Sequence, residues 1–377
     1  MVDPQEIINT IALSRVNHQN LTAMLQLYRR LGSATAVIEH RKDLSEILPD
    51  ISPKLVASLQ DIEEPLKKAE EELEWDMAHG VMPLCISDEN YPQRLKECDD
   101  APLVLFYKGS VNLNQRRVVC VVGTRRSTAY GADIVNRWMS ELRQLCPQLL
   151  VVSGLAYGID ILAHREALRN NYPTVGVLAH GLDYLYPPRH RQTADEMIKR
   201  GGLLTEFPIN TNADKVNFVR RNRIIAGISD ACVVVESADH GGGLITAGLA
   251  RTYNREVFAF PGNISNPYSE GCNNLIRDNV AGLISNAFDF VKAMNWEDDV
   301  KLKKAKNTGI ERELFPDLSD DERQIVATLQ KNNDLQINML SVQAGIPIAK
   351  LTATLFTLEM KGVLKTLPGG VYHLLMV

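Results

Sequence analysis

From about residue 5 to 80, apolar positions recur three and four apart, as in IINTIALSRV and LTAMLQLYRRLG, which predicts short amphipathic helices, and Gly32 falls where one would stop. EEPLKKAEEELEWDMAHG reads as a charged, solvated helix leading out of this region. From about 115 the period changes. Apolar, β-branched runs alternate with helical stretches, and we draw strands at 118–122, 149–153, 174–179, 203–207, 231–236, 256–260 and 282–285. Nearly all are apolar on both faces, as a buried parallel sheet requires.

The charged stretch 297–314 has little apolar periodicity and reads as a linker. Beyond it, DDERQIVATLQ, INMLSVQAG and IAKLTATLFTLEMKG are three helical patterns, followed by VLKTLPGGVYHLL, two strands around a Pro-Gly-Gly turn. The expected architecture is therefore a helical domain over 1–80, a Rossmann-like, doubly wound and mostly parallel α/β domain over 81–296, the linker, and a winged-helix-like domain over 315–377.

Composition narrows this frame only locally. The formal net charge of −5 argues against a general basic face, but the charge is uneven. Residues 1–109 carry 11 Lys/Arg against 19 Asp/Glu, residues 110–295 carry 20 against 16, and residues 296–377 carry 10 against 11. An anion site must then be a local cluster in the middle segment. The six cysteines are scattered, with no C-x-x-C pair, which suits buried free thiols in a reducing compartment. No signal peptide and no apolar run of membrane-spanning length is apparent, so a cytoplasmic location off the membrane is expected.

Ligands of open α/β sheets gather beyond the carboxyl ends of the strands. Here those ends carry GTRRSTAYG (123–131), SGLAYGID (153–160), HGLDYLYPPRH (180–190), SADHGGGLITAG (237–248) and FPGN (260–263). Glycine lets the backbone approach an anion, exposed amides point at it, and the following helix adds its positive end. One such loop alone is better read as a tight turn; several on one edge point to a ligand. Neither G-x-G-x-x-G nor G-x-x-x-x-G-K-[ST] is present, so neither NAD nor ATP has its usual support. A nucleotide-processing enzyme remains the alternative.

In KVNFVRRNRIIAGIS (215–229), Lys215, Arg220, Arg221 and Arg223 crowd around Phe218 and Asn222. Cations neutralise phosphates while an aromatic ring receives an unstacked base, the usual way single strands are held. The competing reading makes Phe218 core and pairs the arginines with surface carboxylates. Asp160 and His164 share a helix face, and His180 and His240 sit in loops, but no third ligand or nucleophile accompanies them, so no metal, cofactor or triad is expected.

These blocks, with GGLLTEFP and REVFAFPGNISNPYSEGCNNLIRDNVAGLI, strongly resemble the DNA-processing protein A family (DprA, or Smf) over about 115–290. The N-terminal RLGSATAVIEHRKDLSEIL resembles a helix-hairpin-helix or sterile-alpha-motif bundle, in keeping with that family's three-part build. The resemblance implies a non-catalytic protein that coats single-stranded DNA during natural transformation and loads the RecA recombinase. It also implies a homodimer formed through the Rossmann-like domain. The DNA-binding positions it implies are Gly123, Thr124 and Arg125; Ser153, Gly154, Gly158 and Arg165; Lys215, Phe218, Arg221, Asn222 and Arg223; and Gly241, Gly242 and Gly243. Val219 stands where the family often has proline, and Arg165 where it often has lysine. Related nucleotide-cleaving enzymes carry a glutamate in the loop corresponding to HGGGLITAGL, whereas this chain has an apolar residue at or near Leu249, which disfavours acid–base chemistry there. The C-terminal helix with only Lys350 and Lys361 is poorly suited to the major groove.

Overall fold

The computed structural model describes residues 3–16, 21–297, 318–367 and 370–374. The chain divides into two units, Met1–Trp296 and Glu297–Val377. Apart from Glu297, the expected linker lies outside the described residues, as does most of the Pro-Gly-Gly turn at 368–370.

The first unit begins with six helices: α1 (Pro4–Val16), α2 (Leu21–Leu31), α3 (Ala34–Glu39), α4 (Leu44–Ile47), α5 (Pro53–Gln60) and α6 (Glu63–His79). Gly32 follows α2 with φ +86, and Gly80 ends α6 in the left-handed region at φ +66, conformations that cost glycine little. A nine-stranded sheet follows, built from β1 (Met82–Cys85), β2 (Val104–Gly109), β3 (Val118–Val122), β4 (Leu150–Ser153), β5 (Thr174–Val177), β6 (Gly202–Thr205), β7 (Ala231–Val234), β8 (Glu256–Ala259) and β9 (Gly282–Leu283). Between and after these strands lie α7 (Gln93–Lys96), α8 (Ala129–Leu145), α9 (Ile159–Arg169), α10 (Arg191–Arg200), α11 (Lys215–Gly227), α12 (Gly242–Thr252), α13 (Glu270–Arg277) and α14 (Ala287–Ala293).

The sheet order is β1-β2-β6-β5-β4-β3-β7-β8-β9. All seven sequence-predicted strands are present and parallel, and β1 and β2 add an antiparallel edge on β6 that the apolar pattern did not reveal. The chain steps outward from β3 through β4, β5 and β6, then returns to place β7 on the other side of β3. This reversal makes β3/β7 the switch point, where the loops diverge and leave a crevice.

Two apolar layers cover the sheet. On one face Trp138 of α8 makes edge contacts with Phe260 and Phe290, its ring centroid 6.0 and 5.3 Å from theirs. On the other, Leu13 and Leu25 of the N-terminal helices share one cluster with Leu84, Leu105, Val177 and Ile224. The helices of 1–80 are thus continuous with the core of the α/β sheet and not a separate body. In the second unit, helices Asp320–Lys331, Ile337–Ala344 and Ile348–Met360 surround a three-stranded sheet of Leu335–Gln336, Leu364–Leu367 and Val371–Leu374, a winged-helix arrangement. Ser319 and Glu322 form a reciprocal capping box at its first helix. No single helix among the described residues is long and apolar enough to cross a membrane.

The charged appearance of α6 is misleading, because Ala69, Glu72 and Asp76 are buried on one of its faces. Glu72 accepts from Arg15 of α1 at 2.7 Å and from the backbone amide of Ile209 at 3.0 Å, tying the helices to the loop after β6. Asp76, 1% exposed, has no hydrogen-bond partner among the described residues for either carboxylate oxygen. Burial, with Glu72 one turn away, pushes its pKa up to about 8, opposed by Arg15. A folded carboxyl that holds its proton above the unfolded value makes stability fall as pH rises, between about 4 and 8 here. Asp76→Asn is therefore expected to raise stability at pH 7.5 by roughly 1–3 kcal/mol and to flatten that slope, as measured by urea denaturation across pH.

Candidate functional site

The crevice at β3/β7 is a cleft of about 210 Å³, walled by the loop after β3, the loop after β7 and one side of α11. Its shape depends on close backbone approaches. Ile159 donates its amide to the Thr124 carbonyl at 3.1 Å, and the Gly158 backbone, at φ +76, passes directly against Thr124 and Arg125. A side chain at Gly243 would stand 3.2 Å from the Gly123 backbone, and one at Gly123 would run into Ile159 and the Glu236 carbonyl, so both glycines permit close packing of the loops. Glu236, buried after β7, clamps the first loop by accepting from the Thr128 amide at 2.9 Å and its hydroxyl at 2.7 Å. Thr128 in turn caps α8. Gly241 is the N-cap of α12, so the backbone at the start of that helix borders the cleft.

Helix α11 supplies the other wall. Asp214 caps its start by accepting from the Asn217 amide at 2.8 Å. Arg221 is buried, donating to the carbonyls of Gly154 (2.8 Å) and Val177, and it faces buried Asp160 across Gly154. Burial lowers the Arg221 pKa to about 10 against the pull of Asp160, and burial raises that of Asp160 against the pull of Arg221. One turn earlier, half-buried Phe218 lies 4.7 Å from the Arg125 guanidinium and 5.7 Å from that of Arg221, with Tyr186 edge-on at 6.0 Å. Arg125 itself is exposed.

Of the sequence-identified residues, Gly123, Thr124, Arg125, Phe218, Arg221, Asn222 and Gly241–Gly243 meet at this cleft. The others do not line it. Ser153 is buried and donates its hydroxyl to the Val121 carbonyl at 2.6 Å, while Gly154 and Gly158 shape the walls from behind. Arg165 is exposed on α9, beside Thr193. Lys215 is exposed at the start of α11. Arg223 needs correction as a phosphate ligand: it is buried against Glu206 and the Asp100 carbonyl, leaving no face for a ligand. Glu206 also takes Arg220 at 2.9 Å, so one buried carboxylate anchors two of the block's cations.

Sequence reasoning missed Tyr186 and Glu236 as parts of the site. Both lie in or beside strand-end loops, the only signal available, but an isolated tyrosine or glutamate there is ambiguous until the topology is known. The histidines stay outside the chemistry. His164 is buried, its Nδ1 2.7 Å from the Thr174 hydroxyl, and burial holds it neutral with a pKa of about 3. His180 is buried in its loop and His240 is exposed beside Asp239. No group of three or more His, Cys, Asp or Glu side chains suited to a metal occurs among the described residues. All six cysteines are free and buried, and Leu249 packs partly buried against the core.

The family model for DNA recombination-mediator protein A matches residues 82–295, more than half of the chain. The chain belongs to this family. The DprA winged helix domain matches residues 313–370. Protein Smf of Escherichia coli strain K12 is 33% identical over 82% of this chain and 82% of its own length. The DNA processing protein DprA of Bacillus subtilis strain 168 is 40% identical over 55% of this chain and 69% of its own. Among solved structures, DprA from Streptococcus pneumoniae aligns with a TM-score of 0.65 at 31% identity, covering 78% of this chain and 98% of that one. DNA processing protein A from Helicobacter pylori, described for its single-stranded-DNA-binding mode, aligns with a TM-score of 0.51 at 27% identity, covering 57% and 95%.

The close loop packing has a direct consequence. Gly158→Ala, which puts a methyl group into the Thr124–Arg125 backbone at positive φ, is expected to cost roughly 1–3 kcal/mol. Gly242→Ala, with open space around the added carbon, should leave the thermal melt nearly unchanged.

Proposed function

We propose that the chain binds single-stranded DNA without sequence preference at the β3/β7 cleft. The observation that carries this reading is the Arg125–Phe218 pair at the mouth of a switch-point cleft bordered by α12 amides. Phe218 offers a π-face that any base can use, while Arg125 and the amides take the adjoining phosphates. Lys215, Asn222 and Arg165 extend the contact surface, and Arg221 holds the wall in place. The apolar residue at or near Leu249 provides no carboxylate for general acid–base work, which favours binding over cleavage.

The recombination-mediator family supports a role in handing the strand to a RecA-type recombinase during DNA uptake, in the cytoplasm. We assign the working form as a homodimer joined through the α/β domain, since two linked strand sites gain avidity without new contacts.

Anisotropy titrations with fluorescent oligo-dT and a matched duplex test the reading. Wild type is expected to prefer the single strand and to weaken steeply with salt. Phe218→Ala should weaken binding roughly 5- to 100-fold, and Arg125→Glu should also lower the salt slope by about one. Equal affinity for duplex, or unchanged binding by both variants, would overturn the assignment.

A further inference from the structure

Behind α11 lies a second concavity, and nothing in the main cleft accounts for it. It encloses about 610 Å³ between α6, α1 and the loop after β6, and its lining includes Arg15, Lys68, Glu71, Phe207, Val216 and Arg220. That volume lies in the range of sites that enclose an organic molecule of nucleotide size. The main cleft and this groove share one wall, α11. Residues 218, 219, 221, 222 and 225 face the cleft, while 216, 217 and 220 face the groove.

Two details of the groove point to a ligand. Arg15 and Arg220 are each anchored by one amino group to a buried carboxylate, Glu72 at 2.7 Å and Glu206 at 2.9 Å. Their side chains stay 17% and 21% exposed and line the groove, so both guanidinia are held in place while part of each still reaches its surface. Arg220 also lies 5.4 Å from the Phe207 ring, repeating at the groove the arginine–phenylalanine pairing that Arg125 and Phe218 make at the cleft. Against these cations stand exposed Glu71 and Glu64, the latter paired with Lys68.

The path between the two concavities is the third observation. Val216, 73% exposed, lines the groove, and Val219, 52% exposed, lines the cleft. They are three apart on one helix and therefore neighbours on its surface. An apolar ridge thus runs across the outer face of α11 from one concavity to the other, with Lys215 beside it.

We infer that a bound single strand continues from the cleft over the Val216–Val219 ridge into the groove, where Arg15 and Arg220 hold a second nucleotide subsite between the helical and α/β parts of the first unit. This rests on the strand-binding reading above and extends it. A helix is about 10 Å across, so only a strand a few nucleotides longer than the cleft's own occupant reaches the groove.

The distinguishing readout is length. Lys68 and Glu71 lie on an exposed stretch of α6, so reversing either charge leaves the core untouched. With oligo-dT of graded length and the full chain, Lys68→Glu is expected to weaken binding of long strands about 3- to 10-fold and Glu71→Lys to strengthen it by a similar factor. The salt slope should move by about one in opposite directions. On the shortest strand that wild type retains, both variants should match wild type. If both match wild type at every length while Phe218→Ala still weakens binding, the groove proposal fails and the cleft reading stands. Equal shifts on short and long strands also overturn it, because a general field would act so. If wild type binds no single strand, both readings fall together.

Discussion

The cleft depends on one buried guanidinium. Arg221 ties the carbonyl ends of β4 and β5 to α11, and Asp160 at the start of α9 faces it across Gly154. Neither charge has enough water around it to exist alone, and breaking a buried pair by removing one partner costs far more than the pair contributes. Because Phe218 and Asn222 share the helix face with Arg221, fixing that guanidinium fixes the platform and its polar neighbour with it. The glycine at 154 belongs to the same constraint, since any side chain there would occupy the space that Arg221 and Asp160 fill.

The proposed anion site does not require a basic chain, and the formal net charge here is −5. Many of the chain's arginines serve architecture. Arg94 pairs with Asp230 at 2.6 Å, Arg15 with Glu72, and Arg220 and Arg223 with Glu206. Exposed Arg125, Arg126, Arg165 and Lys215 remain around the strand-end loops. Of these, Arg125 lines the same cleft as the start of α12, so the proposed site rests on geometry more than on total charge. A site of this kind depends less on the bulk charge of the protein than on loops that touch one another.

The parallel strands were legible because strands buried on both faces write continuous apolar runs, and their ends marked the ligand-bearing edge before any topology was known. The β1–β2 edge was not legible, because MPLC is too short to carry a period and the 104–109 strand lies outside the run of alternating strands and helices that begins near 115. In the R-N-R block the residue types were informative but their directions were not. Residues 221 and 223 fall about 200° apart around a helix, yet both are buried, because one side meets the carbonyls of Gly154 and Val177 and the other meets Glu206. That carboxylate sits at the end of β6, and only the sheet order reveals that β6 lies within reach. Helix α6 misled for the complementary reason. Its buried face is acidic, which hydropathy scores as solvent, although Arg15 and the Ile209 amide satisfy Glu72.

The second unit offers a contrast to the proposed strand site. Its helix Ile348–Met360 is the one that would enter a groove in a duplex-reading winged helix, but Lys350 is paired with Asp321 at 2.7 Å and Lys361, just beyond, with Glu322 at 2.7 Å. Its exposed positions include Phe356 and Met360, apolar side chains with no use for phosphate. Sequence-specific duplex readout needs side chains that reach base edges and cations that fix the register. Among the described residues in and just beyond that helix the two lysines are engaged by carboxylates, whereas the cleft of the first unit brings together the Phe218 ring, exposed Arg125 and the amides at the start of α12. The ring and exposed arginine that the proposed strand site requires therefore lie in the α/β unit, while the described helix of the second unit shows apolar side chains at its surface.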